Sequence, residues 1–330
     1  MKEFYKNKRI LITGGAGSVG SELVFQIQKL KPKEIIILDK SEYGIHKLAN
    51  NPRYIKNLSK IILIDIKNFI HLKEVLTLEK PNIIIHTAAY KHLPILQENP
   101  SEAILNNVMA TKNLVDLCGE INIERFLFVS TDKAVCPSSN LGVSKYLAER
   151  IIRFKDNIIT KFYTVRFGNI YKSSGSVVEV FEQQIRDGIP LTITNYNAKR
   201  FYIKLEKACL LLLQTLTIDE KNEIFIFEMG EPRKTIDILK EVATNNKLQL
   251  TKGLVINQVG LREGEKLEEI LINDYDAKKK TKFQNILQVI ENPKFKISLL
   301  KINQLVNLAK QRKDVALSKA IDEIINTFKK

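Results

Sequence analysis

No run of eighteen or more uninterrupted apolar residues occurs in this 330-residue chain, although 44% of it is hydrophobic. The sequence therefore reads as a soluble globular protein able to bury a sizeable core, and no membrane insertion is expected. A secretory leader is also missing from the reading. The basic start is followed by only about five apolar residues that run straight into glycines, as in a first strand. Cysteine is scarce, and Cys118, Cys136 and Cys209 are widely spaced with no Cys-x-x-Cys pair. That spacing indicates neither a disulfide framework nor a thiolate metal site, and reduced thiols in a cytoplasmic protein are expected. Only four histidines are present. His86 and His92 lack carboxylate–histidine metal spacing and read as structural, so no metal is expected. Internal repeats and low-complexity linkers are absent too.

The formal charge is +15. Its lysines are scattered and no basic stripe stands out, so nucleic acid is not the expected partner; a diphosphate ligand would use only a few of these charges.

Alternation is what the sequence does have. Apolar runs at Arg9–Thr13, Glu34–Asp39, Lys60–Asp65, Asn82–Thr87, Arg125–Thr131 and Lys161–Arg166 are each followed by a longer amphipathic segment. This predicts an α/β fold with a doubly wound parallel sheet, its strands buried on both faces, in the Rossmann manner. After Gly168 the rhythm breaks. The expected division is a dinucleotide-binding domain over 1–170, with a return segment at about 201–229 containing a helix and a strand, and a smaller substrate-binding lobe with C-terminal helices from 171–200 and 230–330.

The first strand runs into Gly14-Gly15-Ala16-Gly17-Ser18-Val19-Gly20 and then a helical pattern. Gly14, Gly17 and Gly20 allow a sharp turn and close approach of a pyrophosphate, with Ser18 and Val19 opening a helix whose free N–H groups face it. Asp39 ends the second strand, where a carboxylate can accept both ribose hydroxyls and so favours NAD. Lys40 and Lys47 could instead compensate a 2′-phosphate, which leaves NADP open, and Asp39 could simply end a strand. Asp65 ends the third strand in the same way.

The glycine spacing resembles the extended short-chain dehydrogenase/reductase superfamily. Later segments resemble its polysaccharide-biosynthesis branch, which contains the UDP-N-acetylglucosamine 4,6-dehydratases. They are His86–Pro94 with Glu98-Asn99-Pro100, Ser130–Val135 with Pro137, Gly142, Ser144, Lys145 and Glu149, then Val165–Asn169, Gly175–Val178, Arg200-Phe201 and Gly260–Leu267. Some members of the branch carry an N-terminal membrane domain, and this chain resembles the short form. The resemblance implies NAD(P)-dependent dehydration of UDP-N-acetylglucosamine to a 4-keto-6-deoxy sugar, for surface glycans or glycoproteins, by a protein that commonly forms homo-oligomers. It further implies cofactor contacts from Ile66, Ala88, Ala89, Lys91 and Asn107. Around the nucleotide sugar it implies Lys91, Asn169, Thr192, Thr194, Arg200, Arg262 and Glu265.

By the same resemblance Thr131 holds the C4 oxygen, Asp132 is the acid at the C6 hydroxyl, Lys133 is the base at C5, and Lys145 binds the nicotinamide ribose. A lysine base needs a lowered pKa, which burial or Lys145 could supply. The sequence departs from the superfamily's Tyr-x-x-x-Lys pair, because Leu141 occupies the tyrosine position. Two readings follow: a non-catalytic nucleotide-binding homologue, or a dehydratase in which Asp132, Lys133 or a water takes the C4-hydroxyl proton. Tyr146 points about 100° away on the helix and is a poor substitute. A UDP-sugar 4-epimerase, which needs the C4 oxidation alone, is the nearest enzymatic alternative.

Overall fold

The computed structural model describes residues 1–155, 159–220, 222–246, 255–292 and 296–329. The parts of the expected 230–330 stretch at 247–254, 293–295 and 330 lie outside the described residues.

Nine strands form the main sheet: β1 (Arg9–Thr13), β2 (Glu34–Asp39), β3 (Ser59–Leu63), β4 (Ile83–His86), β5 (Arg125–Val129), β6 (Lys161–Arg166), β7 (Glu223–Phe227), β8 (Ala277–Lys280) and β9 (Ile286–Ile290). Their order across the sheet is β8-β9-β7-β6-β5-β4-β1-β2-β3. From β7 to β3 every pairing is parallel. The six runs read from the sequence are β1 to β6, and the helix and strand expected in the return segment are Leu205–Thr215 and β7.

Side chains alternate across the sheet, so each strand feeds two cores. Ile10, Ile12, Ile35, Ile37, Ile83 and Ile85 face the helices Ser18–Gln28 and Leu205–Thr215. Leu11, Ile36, Leu38, Ile84, Phe126 and Phe128 face the helices Ala110–Ile121 and Asn140–Phe154. Burial on both faces is why these strands read as continuous apolar runs rather than as polar–apolar alternation.

The last hundred residues distribute differently from the sequence-based division. Strand β9 joins the main sheet antiparallel to β7, and β8 pairs antiparallel with β9 at the edge. The closing helices Leu299–Lys310 and Asp314–Thr327 bury Ile302, Leu305, Leu317 and Ile321 in the same core as Val143 and Leu147 of the helix Asn140–Phe154. Their apolar faces need a partner, and the sheet's helical layer supplies one. Val178, Phe181, Leu191, Ile238, Leu239 and Val242 form a separate small core between the helices Val177–Arg186 and Thr235–Asn245.

Candidate active site

In an open parallel sheet, ligands bind where the strand order reverses. Here β1 lies between β2 and β4, and the loops leaving these strands open two neighbouring cavities.

The glycine turn is as tight as its sequence implies. Gly14 has φ +66°, and a Cβ there would stand 2.7 Å from the Ala88 backbone; at Gly20 it would stand 2.2 Å from the Gly14 carbonyl oxygen. Gly17 caps the following helix without any side-chain acceptor, so its first N–H groups face the cleft. The smaller cavity, about 240 Å³, is lined by Gly14, Gly17, Asp39, Lys40, Asp65, Ile66, Ala88 and Ala89 among others. At its rim Asp39 accepts hydrogen bonds from the Ala16 and Ser41 N–H groups, at 3.0 and 2.9 Å. Lys40 crosses to the opposite wall, where it donates to Asn106 at 3.0 Å and sits 4.0 Å from the Tyr90 ring centre. Uncapped helix N–H groups, a rimmed carboxylate and backbone space at the glycines together suit a nicotinamide dinucleotide.

The larger cavity, about 540 Å³, continues from the same turn. Gly14, Gly17, Ser18, Val19, Gly20, Lys91, Thr131, Lys133, Leu141, Lys145, Asn169 and Tyr202 are among the residues on its wall. Lys91 donates to the Ser174 carbonyl, and the Ser174 N–H donates to Ser18 Oγ at 3.1 Å, so loop 173–176 ties the two halves of the cleft.

Thr131, Asp132 and Lys133 leave β5 in a single 3₁₀ turn capped by Thr131. Thr131 Oγ1 donates to Asp132 Oδ1 at 2.9 Å, and Lys133 Nζ donates to the same oxygen at 2.9 Å. Asp132 is fully buried behind the wall, and its Oδ2 has no hydrogen-bond partner among the described residues. Thr131 and Lys133 are therefore the pocket face of the triplet. Lys133 also approaches Asn169 Oδ1 at 3.4 Å and Glu269 Oε1 at 3.7 Å. Burial pulls its pKa down, but Asp132 and Glu269 outweigh burial and leave it above the ordinary lysine value. The expectation of a lowered Lys133 is thus corrected: the two carboxylates dominate.

Burial depresses Lys145 to about 7, with Glu149 pulling the other way, and it lowers Lys91 as well. Lys145 Nζ donates to the Val129 carbonyl at 2.9 Å. The helix that carries it begins at Ser139, whose Oγ accepts from Gly142 N. Gly142 is needed there, because a Cβ would meet the Lys133 carbonyl at 2.5 Å. Leu141 and Lys145, four residues apart, share the pocket-facing side of this helix. Tyr146 packs away from the pocket, against the Phe328 ring. Behind the wall Glu149 binds Arg166 through two bonds of 2.9 and 2.6 Å and accepts from Ser130 Oγ at 2.6 Å, which fixes the end of β5.

Other expected residues lie elsewhere. Asn107 sits in a π-helical segment, Ala103–Met109, buried and turned to the Tyr90 backbone and Ser144 Oγ. Its neighbour Asn106 is the one that reaches a cavity. Arg200 and Thr194 both meet Glu265, at 2.7 and 3.2 Å. Thr192 is occupied by Gln184, and Arg262 is exposed. His86 is buried between Thr13 and Thr111, with its pKa lowered to about 3 by burial, and no metal-binding cluster is found among the described residues. No described helix is long and apolar enough to cross a membrane.

Glu269, Asn106 and Tyr202 escaped the sequence reading, and Tyr90 entered it only as part of the His86–Pro94 motif. Glu269 stands two residues beyond the Gly260–Leu267 motif and follows an exposed glutamate, so its burial has no local signal.

Residues 10–291 match the family model described as polysaccharide biosynthesis protein. The chain belongs to that family. This places it in the polysaccharide-biosynthesis branch of the extended short-chain dehydrogenase/reductase superfamily. It is 35% identical over 315 residues to the capsular polysaccharide biosynthesis protein CapD of Staphylococcus aureus, covering 93% of this chain and 52% of that protein. The chain thus spans about half the length of this capsular relative. It is 31% identical to the inverting UDP-N-acetylglucosamine 4,6-dehydratase of Campylobacter jejuni, over 88% of this chain and 85% of the enzyme. Identity to the UDP-glucose 4-epimerase of Rickettsia rickettsii is 29%, over 83% and 80%. Among solved structures, Pen from Bacillus thuringiensis superposes with a TM-score of 0.81 at 27% identity, covering 94% of this chain and 99% of that one.

Proposed function

We propose that this family member is an NAD(P)-dependent dehydratase of UDP-N-acetylglucosamine, yielding a 4-keto-6-deoxy sugar and water, with NAD the favoured cofactor. The observation that carries this reading is the Thr131–Asp132–Lys133 triplet, hydrogen-bonded within itself on the wall of a cavity that also holds Lys145. An epimerase needs no acid–base pair for C5 and C6; a dehydratase does.

Nicotinamide, when bound, supplies hydride storage between C4 and C6 of the sugar. The chain supplies the proton chemistry. Oxidation at C4 also releases the hydroxyl proton, which a water takes; once C4 is a ketone, the C5 proton is acidic, and loss of the C6 hydroxyl as water needs a base at C5 and an acid at O6. In the resting pair the proton sits on Lys133. Its transfer across the 2.9 Å bond to Asp132 turns ammonium and carboxylate into amine and carboxylic acid, the two forms the elimination requires. The amine then takes the C5 proton. Asp132, buried behind the wall, passes its proton through the Thr131 hydroxyl that lines the pocket. Lys145 holds the nicotinamide ribose, and Leu141 contributes shape alone. Asn169 lines the cavity toward the sugar, while the fork of Arg200, a group suited to a diphosphate, is engaged by Glu265 and would have to release it to bind one. Assembly into a homo-oligomer and work in the cytoplasm, on surface glycans or glycoproteins, complete the reading.

The test is incubation with UDP-N-acetylglucosamine in deuterated water, followed by NMR and mass analysis. A 4-keto-6-deoxy product carrying deuterium at C5 is expected. A 4-epimer without C5 deuterium would replace the reading with an epimerase. An unchanged sugar on cofactor-loaded protein would sink it.

A further inference from the structure

The turn that carries Lys133 is braced from the substrate side by the segment from Gly264 to Glu269. Gly264, at φ +75°, lies so close to Ser139 that a Cβ would approach its side chain to 2.7 Å, and its carbonyl accepts from Ser138 Oγ at 2.8 Å. Lys266 Nζ donates to the Val135 carbonyl at 2.7 Å. These contacts bring Glu269 to the back of the pocket wall, where its side chain is only 2% exposed.

Glu269 Oε1 is 3.7 Å from Lys133 Nζ, and Oε2 is 3.6 Å from Lys266 Nζ with no hydrogen-bond partner among the described residues. Asp132 Oδ2 lacks a hydrogen bond among the described residues as well. Two buried carboxylates around a single lysine, each with an oxygen that makes no hydrogen bond, are costly for the fold alone, because a buried charge needs its hydrogen bonds. Groups facing Lys133 are Asp132 in its own turn, Glu269 with Lys266 beside it, Arg200 paired with Glu265, the Tyr202 phenol, and Lys145 on the same cavity wall. Of the anions, Asp132 is hydrogen-bonded and Glu269 acts by charge across a gap.

We propose that Glu269 is a positioning residue for Lys133: its carboxylate holds the ammonium on the pocket wall and sets the pH at which the lysine becomes a free amine. The inference rests on the reading of Lys133 as the base at C5, and it can be tested apart from that reading.

The experiment titrates Lys133 directly in the full-length protein. Lysine is labelled with ¹³C at Cε, the resonance is assigned by its loss in Lys133→Arg, and wild type is compared with Glu269→Gln. The midpoint should fall by about one to two pH units in the variant, as expected for losing an opposite charge at this range. The pH at which C5 deuterium labelling of UDP-N-acetylglucosamine reaches its plateau should fall with it. Glu269→Asp, which keeps the charge but withdraws it, should lie between, and serves alone should the glutamine variant not fold. An unmoved midpoint in a folded variant overturns the proposal, even if turnover drops. A moved midpoint in a protein that never labels C5 keeps the proposal and removes the dehydratase reading.

Discussion

Leu141 and Lys145 stand one helical turn apart and both face the larger cavity, but only Lys145 can exchange a proton there. Leu141 is 4% exposed and packs with Leu96 and Ala103, beside Tyr90 and Leu93. If its role is shape, Leu141→Met should cost less than about 1.5 kcal/mol of stability and leave turnover within about threefold. Leu141→Ala should lose about 2–5 kcal/mol. Denaturant melts with steady-state rates check both; a hundredfold loss in the methionine variant would show that the leucine itself governs the chemistry.

Lys145 gives a pH signature of its own. In the folded protein without cofactor its pKa is lowered from 10.5 to about 7 by burial. Between those values the unfolded chain binds the extra proton, so this group's contribution to stability rises as pH goes from 7 toward 10. Lys145→Met lacks that titration. The melting temperature of wild type relative to the variant should therefore climb across this window. A flat difference would mean that the amine is not buried as described.

Asp132 and Lys133 should be separable from cofactor binding. Asp132→Asn and Lys133→Ala are each expected to lower kcat by about 10²–10⁴-fold or more while NAD affinity changes little. Calorimetry alongside product analysis tests this, and retained turnover in Lys133→Ala would remove the base role assigned to it.

Asp39 links fold and cofactor choice. Its carboxylate accepts the Ala16 and Ser41 N–H groups while standing at the rim of the smaller cavity. Asp39→Ala should weaken NAD binding by about 10- to 100-fold, the worth of hydrogen bonds to a charged acceptor, and narrow the gap to NADP. Equal losses for both dinucleotides, by calorimetry, would assign Asp39 to the turn alone.

Features that depend on near neighbours are legible in the chain. Glycines 14 and 20 dictate the turn because backbone clashes leave no alternative there. Strands β1, β2 and β6 have the ends their apolar runs predicted, since burial on both faces writes itself as a continuous run. Thr131, Asp132 and Lys133 are adjacent in sequence and so adjacent in space. What joins distant segments was fixed only by packing. The lobe-side stretch 277–290 returned to the sheet as β8 and β9, and its exposed Ala-Lys-Lys-Lys strand carries no apolar signal of that pairing. The π-helical turn directed Asn106, not Asn107, to a cavity. The charge state of Lys133 depends on Glu269, more than a hundred residues away, because electrostatics in a buried site follows distance and solvent, not chain order.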